Sequence, residues 1–155
     1  MDTSSVPGPC VCTSVRRASR VLARAYDAAL AESGMNVTQL AVMRAVLRHP
    51  GEPLTKVAED LAMDRTSLYR MLLPMQKSKW VELKEGRDGR SQAAIVSEAG
   101  KFVLARADSG WARIQTTIVQ QFGQDSWKAF VSQLNRLIEC VSDLPEHQAG
   151  TVKGT

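Results

Sequence analysis

The chain has 155 residues, 44% hydrophobic and 23% charged, which suits one compact domain, or one domain with a dimerisation extension, able to bury a core. Twenty Lys and Arg against 16 Asp and Glu leave a net charge of +4, permissive for nucleic acid but a weak signal alone. No window holds the roughly 18 consecutive apolar residues of a membrane span. Met1 to Pro9 lacks the basic start and apolar core of a signal peptide. Three cysteines do not make a secreted disulfide framework, so a cytoplasmic protein with no membrane partner is expected.

In chain order, residues 1–12 read as a flexible tail. From Thr13 to Ser33, Val15, Ala18, Leu22, Ala25 and Ala29 recur at helical spacing while Arg16, Arg17, Arg20 and Arg24 take other faces; Gly34 ends that helix. Thr38 is placed to cap the next, with Leu40, Met43, Val46 and Leu47 facing inward until Pro50-Gly51 stops it.

Leu54 to Val96 then reads as helix, turn, helix, strand, charged loop, strand. Leu54, Val57, Ala58 and Leu61 line one side of a short supporting helix, and Ala62-Met63 makes the turn. Asp64 caps a second helix that Leu68, Leu72 and Met75 anchor. Its remaining face carries Arg65, Thr66, Ser67, Tyr69 and Arg70. These groups suit a major-groove reader: a helix N-terminus favours phosphate, hydroxyls donate to phosphate or base edges, and Arg70 can pair bidentately with guanine. Lys77 and Lys79 are expected to be phosphate contacts or solvent charges. Pro74 lacks a backbone donor, so a kink or an end to the regular ladder is expected there. Val81 to Lys84 and Ala93 to Val96 read as strands around a glycine turn carrying Arg87, Asp88 and Arg90, a loop able to reach a minor groove.

After Gly100 comes a long helix marked by Val103, Ala107, Trp111, Ile114 and Ile118, broken near Gly123. A last helix carries Trp127, Phe130, Val131, Leu134, Leu137, Ile138 and Val141, and residues 145–155 read as a second flexible tail. The fold class expected is mainly α with a small β wing: a winged helix-turn-helix over about residues 37–97, with dimerisation helices at about 13–33 and 98–144. The terminal helices carry more apolar surface than one small winged helix can cover. A homodimer built on the first and last two helices is therefore expected, reading a pseudo-palindrome in double-stranded DNA with half-sites about 10 base pairs apart.

Val57-Ala58-Glu59-Asp60-Leu61, Arg65 to Arg70, Asp88-Gly89-Arg90-Ser91 and Val96-Ser97-Glu98-Ala99-Gly100 resemble the MarR family of bacterial transcriptional regulators, a similarity running from about Cys12 to Leu144. The resemblance implies that Arg90 enters the minor groove, that Asp88 orients it, and that the protein is a dimeric regulator, repression being the default. Lys79-Trp80 departs from the pattern, since many members have a glycine before the apolar residue that starts the first wing strand. The family also implies an aromatic acid or phenol as effector, in a cleft for which Arg17, Arg20, Met35, Met43 and Trp111 are the candidates; Met43 and Trp111 as core and both arginines as solvated is the plainer reading. An alternative is oxidant sensing by Cys12, or by Cys10, at the start of the first helix, where helix amides and Arg16 favour a thiolate; Cys140 is no assured resolving partner. Thiols near a chain end are also often incidental.

Enzymatic activity is not expected. The chain has no Gly-rich phosphate loop and no nucleophile elbow, and Cys10-Val11-Cys12 with the distant His49 and His147 lacks the ligand spacing of a zinc site, so neither metal nor cofactor is expected. A winged helix serving only as a protein-interaction surface is the remaining alternative.

Overall fold

The first helix starts before its apolar periodicity does. The computed structural model describes residues 8–142, and His147 with the expected C-terminal tail lies outside them. Helix α1 spans Val11–Leu30 with Cys10 as its N-cap, so Val11 and Cys12 are helical rather than part of a tail. A single 3-10 turn, Ala31–Ser33, follows and closes at Gly34, whose φ of 76° is the left-handed conformation that glycine adopts without Cβ strain.

Helix α2 is Val37–Arg48. Its cap is Asn36, not Thr38. The Asn36 side chain accepts the Gln39 N–H at 2.8 Å and the Gln39 side chain accepts the Asn36 N–H at 3.0 Å, a reciprocal box that satisfies two otherwise orphaned donors. Leu40, Met43 and Val46 are buried as expected, but Leu47 is 47% exposed, and Val42 and Ala45 complete the inward face instead.

Helices α3 (Leu54–Asp60) and α4 (Arg65–Lys77) form the helix-turn-helix. Between them Ala62 takes φ 50° and the Met63 N–H donates to the Ala58 carbonyl at 2.9 Å. Pro74 does not end α4, which continues to Lys77. Strands β1 (Val81–Glu85) and β2 (Gln92–Val96) pair antiparallel, Val81 opposite Val96 and Leu83 opposite Ala94. Helix α5 is Glu98–Phe122; Gly123, at φ 94°, separates it from α6, Gln124–Ser142.

The chain divides into two compact units, residues 1–114 and 115–155. The first holds the core: Leu30, Met35, Leu40, Met43, Val46, Leu54, Val57, Leu68, Leu72, Met75 and Val81 are all at most 2% exposed, and Leu104 and Ala107 of α5 join them. Two α5 glycines allow close approach. A Cβ on Gly110 would strike the Ala29 carbonyl, and one on Gly100 the Trp80 carbonyl. In α1 only Leu30 is buried, and Val11, Val15, Val21 and Leu22 are exposed. In the second unit no residue of α6 is buried; Phe122 stacks edge-on against Phe130 at 5.8 Å, and Phe130, Ile138 and Val141 are exposed.

Candidate nucleic-acid interface

Helix α4 is oriented by its buried face. Leu68, Leu72 and Met75 are fully buried, which turns Arg65, Thr66 and Arg70 outward, all exposed. Asp64 caps the helix: one carboxylate oxygen accepts the Ser67 N–H at 2.8 Å and the other its hydroxyl at 2.6 Å. The Ser67 hydroxyl and N–H hold the Asp64 carboxyl below the usual aspartate range. Ser67 thus spends its hydroxyl proton on the cap. Tyr69 is half-buried and packs against the core, so of the expected reading set it is the residue most committed to the fold. Lys77 and Lys79 are exposed; Lys79 takes φ 61°, the left-handed conformation that a glycine would hold without strain.

The supporting helix is tied to α2 through Asp60. One Asp60 oxygen accepts from Arg48 (Nη2 at 2.7 Å, Nε at 3.0 Å) and lies 3.2 Å from His49 Nε2. The Arg48 guanidinium, by hydrogen bond and charge, and then His49 hold the Asp60 carboxyl below its ordinary range. His49 thus lies beside the Arg48–Asp60 ion pair, within hydrogen-bonding distance of Asp60. Among the described residues, no group of His, Cys, Asp and Glu has a metal-binding arrangement.

The wing is shaped by Asp88. A single oxygen, Oδ1, accepts the Arg90 N–H at 3.1 Å, the Ser91 N–H at 2.9 Å and the Ser91 hydroxyl at 2.7 Å. The Ser91 N–H, then its hydroxyl, then the Arg90 N–H lower the Asp88 pKa, which keeps the carboxylate ionised and the turn closed. Asp88 thus holds Arg90 by its backbone N–H. Arg90 is exposed, and no described residue pairs with the guanidinium of Arg65, Arg70 or Arg90. Arg87 differs, since its Nη1 meets Glu52 Oε1 at 3.1 Å.

No protein-family model and no curated protein matches the chain. Solved structures do. The M. tuberculosis transcriptional regulator MosR in complex with DNA is 26% identical, with a TM-score of 0.75 over 86% of this chain and 98% of that one. The MarR family transcription regulator SP03579 gives a TM-score of 0.69 at 17% identity, over 85% and 88% of the two chains. The PcaV regulator of Streptomyces coelicolor in complex with its natural ligand gives 0.75 at 18% identity, over 91% and 97%. The chain has the winged-helix fold of these transcriptional regulators.

In this winged helix the residues expected around an effector divide between the core, its margin and the surface. Met35 and Met43 are 2% and 0% exposed and belong to the core. Trp111 packs against that core and lies under the Arg44 guanidinium, 4.2 Å from the ring centroid, with Arg44 also paired to Asp108 at 2.7 Å. Arg17 and Arg20 are exposed on α1.

All three cysteines are free and exposed. Cys10, at the N-cap of α1, has a lowered pKa, with Thr13 as the main cause, side chain first and then backbone. Cys12 sits one residue into the helix, after Val11. Glu52, Arg44, Ser91 and Asn36 were not legible as site-building residues. Only Asn36, three residues before Gln39, carried a local signal that the rule for capping boxes recognises.

Proposed function

We propose that the chain is a sequence-specific DNA-binding transcriptional repressor that works in the cytoplasm as a homodimer on a pseudo-palindromic operator, without catalytic activity. The observation that carries this reading is the pairing of a capped helix α4, presenting Arg65 and Arg70 beside Thr66, with a closed wing presenting Arg90, all three arginines without a counter-ion among the described residues. Arg70 reads a base edge in the major groove, Arg90 enters the adjacent minor groove, and the amides at the start of α4 and the cations Lys77 and Lys79 position the duplex through phosphates. MosR, similar over most of its length, has been crystallised with DNA. The exposed apolar residues of α1 and of α6 support a homodimer, because faces of that kind bury against a partner. Two recognition helices related by a two-fold axis then read half-sites about 10 base pairs apart.

Release of DNA by a small aromatic acid or phenol is supported by the ligand complex of PcaV. In this chain the task falls to Arg17, Arg20 and Trp111, because Met35 and Met43 serve the core. A ligand acts only by favouring the dimer whose recognition helices are wrongly spaced. A second reading has its own observation: Cys10 is exposed, and its thiolate is favoured by Thr13. A peroxide transfers one oxygen to that sulfur, giving a sulfenate, and the other leaves as water.

Fluorescence anisotropy against the chain's own upstream DNA and a scrambled duplex, with a salt titration, tests the proposal. Preferential binding that weakens steeply with salt is expected. Equal affinity for both duplexes refutes sequence-specific regulation and leaves a protein-interaction module.

A further inference from the structure

The wing is joined to the helix-turn-helix at a point remote in sequence. Gly51, at φ 74°, turns the connection between α2 and α3 so that its carbonyl accepts the Arg87 N–H at 3.2 Å. The next residue, Glu52, receives the Arg87 guanidinium at 3.1 Å. Pro53, the N-cap of α3, forms an antiparallel bridge with Ala93 of β2. The arginine stem fills the space over Gly51: a Cβ there would lie 3.5 Å from Arg87 Nε and 3.7 Å from Cγ. Backbone, stem and head of Arg87 are thus all held by the short segment that leads into the supporting helix.

We infer that Arg87 is a positioning residue and not a DNA contact: its clamp on Gly51 and Glu52 sets where the wing stands against α3 and α4, and so where Arg90 meets the duplex. This rests on the DNA-binding reading above. A two-stranded wing attached only through β1 and β2 can swing about its base, and a marginal hairpin has little stiffness of its own. The clamp adds a fixed point near the tip, three residues before Arg90. Its charge argues the same way. Glu52 neutralises Arg87 where Arg90 has no described counter-ion, so the field offered to phosphate at the wing comes from Arg90.

Glu52→Gln separates the two roles, because they give opposite signs. If Arg87 touches phosphate, removing the carboxylate frees it and tightens binding. As a positioning residue it loses its hold, and binding to upstream DNA weakens by about two- to fivefold, the range of a surface ion pair. Arg87→Met is expected to weaken binding equally, the double variant no further, and the salt slope to stay that of the wild type. Tighter binding by Glu52→Gln, or a slope reduced by about one in Arg87→Met, overturns the inference. A readout without DNA accompanies it: amide exchange over residues 86–91 is expected to speed up in Glu52→Gln at unchanged melting temperature. Unchanged exchange also overturns it. Wild-type protein that ignores upstream DNA while its wing amides still respond overturns the regulator reading and keeps the clamp.

Discussion

Asp64 holds Ser67 with both carboxylate oxygens, one on the backbone N–H and one on the hydroxyl. The pair fixes the first turn of the helix whose outward residues are proposed to read DNA. Asp64→Ala leaves that turn uncapped, and the melting temperature is expected to fall by a few degrees. Ser67→Ala keeps the backbone half of the cap and is expected to cost less. An Asp64→Ala melt identical to wild type shows that the cap is not limiting.

The base-reading assignment separates two arginines. Arg70→Ala is expected to cost about 1–3 kcal/mol of operator binding and to relax discrimination at one base pair. Arg90→Ala is expected to weaken binding most where the flanks are A·T-rich. Anisotropy on a set of single-base operator variants distinguishes the two. Unchanged affinity of both variants removes the assignment.

Acid tests the carboxylates. Asp60, Asp64 and Asp88 all have depressed pKa values in the folded chain, from Arg48, from Ser67, and from the Ser91 amide respectively. A depressed acid binds protons more readily in the unfolded chain, so its stabilisation is complete above the ordinary aspartate value, about pH 4, and is lost as pH falls through the lower folded value. Denaturant melts are expected to show stability falling below about pH 4. Asp60→Asn is expected to flatten that fall. An unaltered profile in Asp60→Asn excludes the Arg48 cluster as a contributor.

Two backbone positions give opposite predictions. Gly110→Ala drives a methyl into the Ala29 carbonyl and is expected to destabilise by about 1–3 kcal/mol. Lys79→Gly relieves a left-handed φ of 61° and is expected to stabilise, on the order of 0.5–1 kcal/mol after the entropy of a glycine is set against it. Urea melts of both variants check the signs. A neutral Gly110→Ala means that α5 shifts off α1 without cost.

Oxidant sensing has a separate test. Peroxide is expected to release wild-type protein from DNA and to leave Cys10→Ser bound. Release of both variants alike, or of neither, excludes Cys10 as the sensor.

The helix order, the wing strands and the anchors Leu68, Leu72 and Met75 were legible because each depends on neighbours in sequence: periodicity, a cap, a glycine turn. The exposed Leu47 was not, since the 3.6-residue repeat cannot say where an inward stripe ends when Val42 and Ala45 fill the same side. At Pro74 the sequence left a kink and an end of the helix both open, and the helix does not end there. The proline's missing N–H costs one bond, while Leu72 and Met75, buried on either side, hold the helix through it. Thr38 and Asn36 are both good caps by type, and Gln39 sits at the reciprocating distance from only one of them. The link between Arg87 and Glu52 spans 35 residues and left no local trace.

Asp88-Gly89 is a dipeptide whose chemistry is a hazard in long-lived proteins. An unhindered glycine nitrogen attacks the preceding side-chain carboxyl, closes a succinimide ring and reopens as isoaspartate, which lengthens the main chain by one atom. In this wing the Gly89 N–H is occupied by the Gly86 carbonyl at 2.9 Å, and three donors hold Asp88 Oδ1 toward Arg90 and Ser91. The nitrogen and the carboxyl are thereby kept from the approach that ring closure needs. The turn that presents Arg90 is therefore expected to slow the chemical ageing of the loop that carries it.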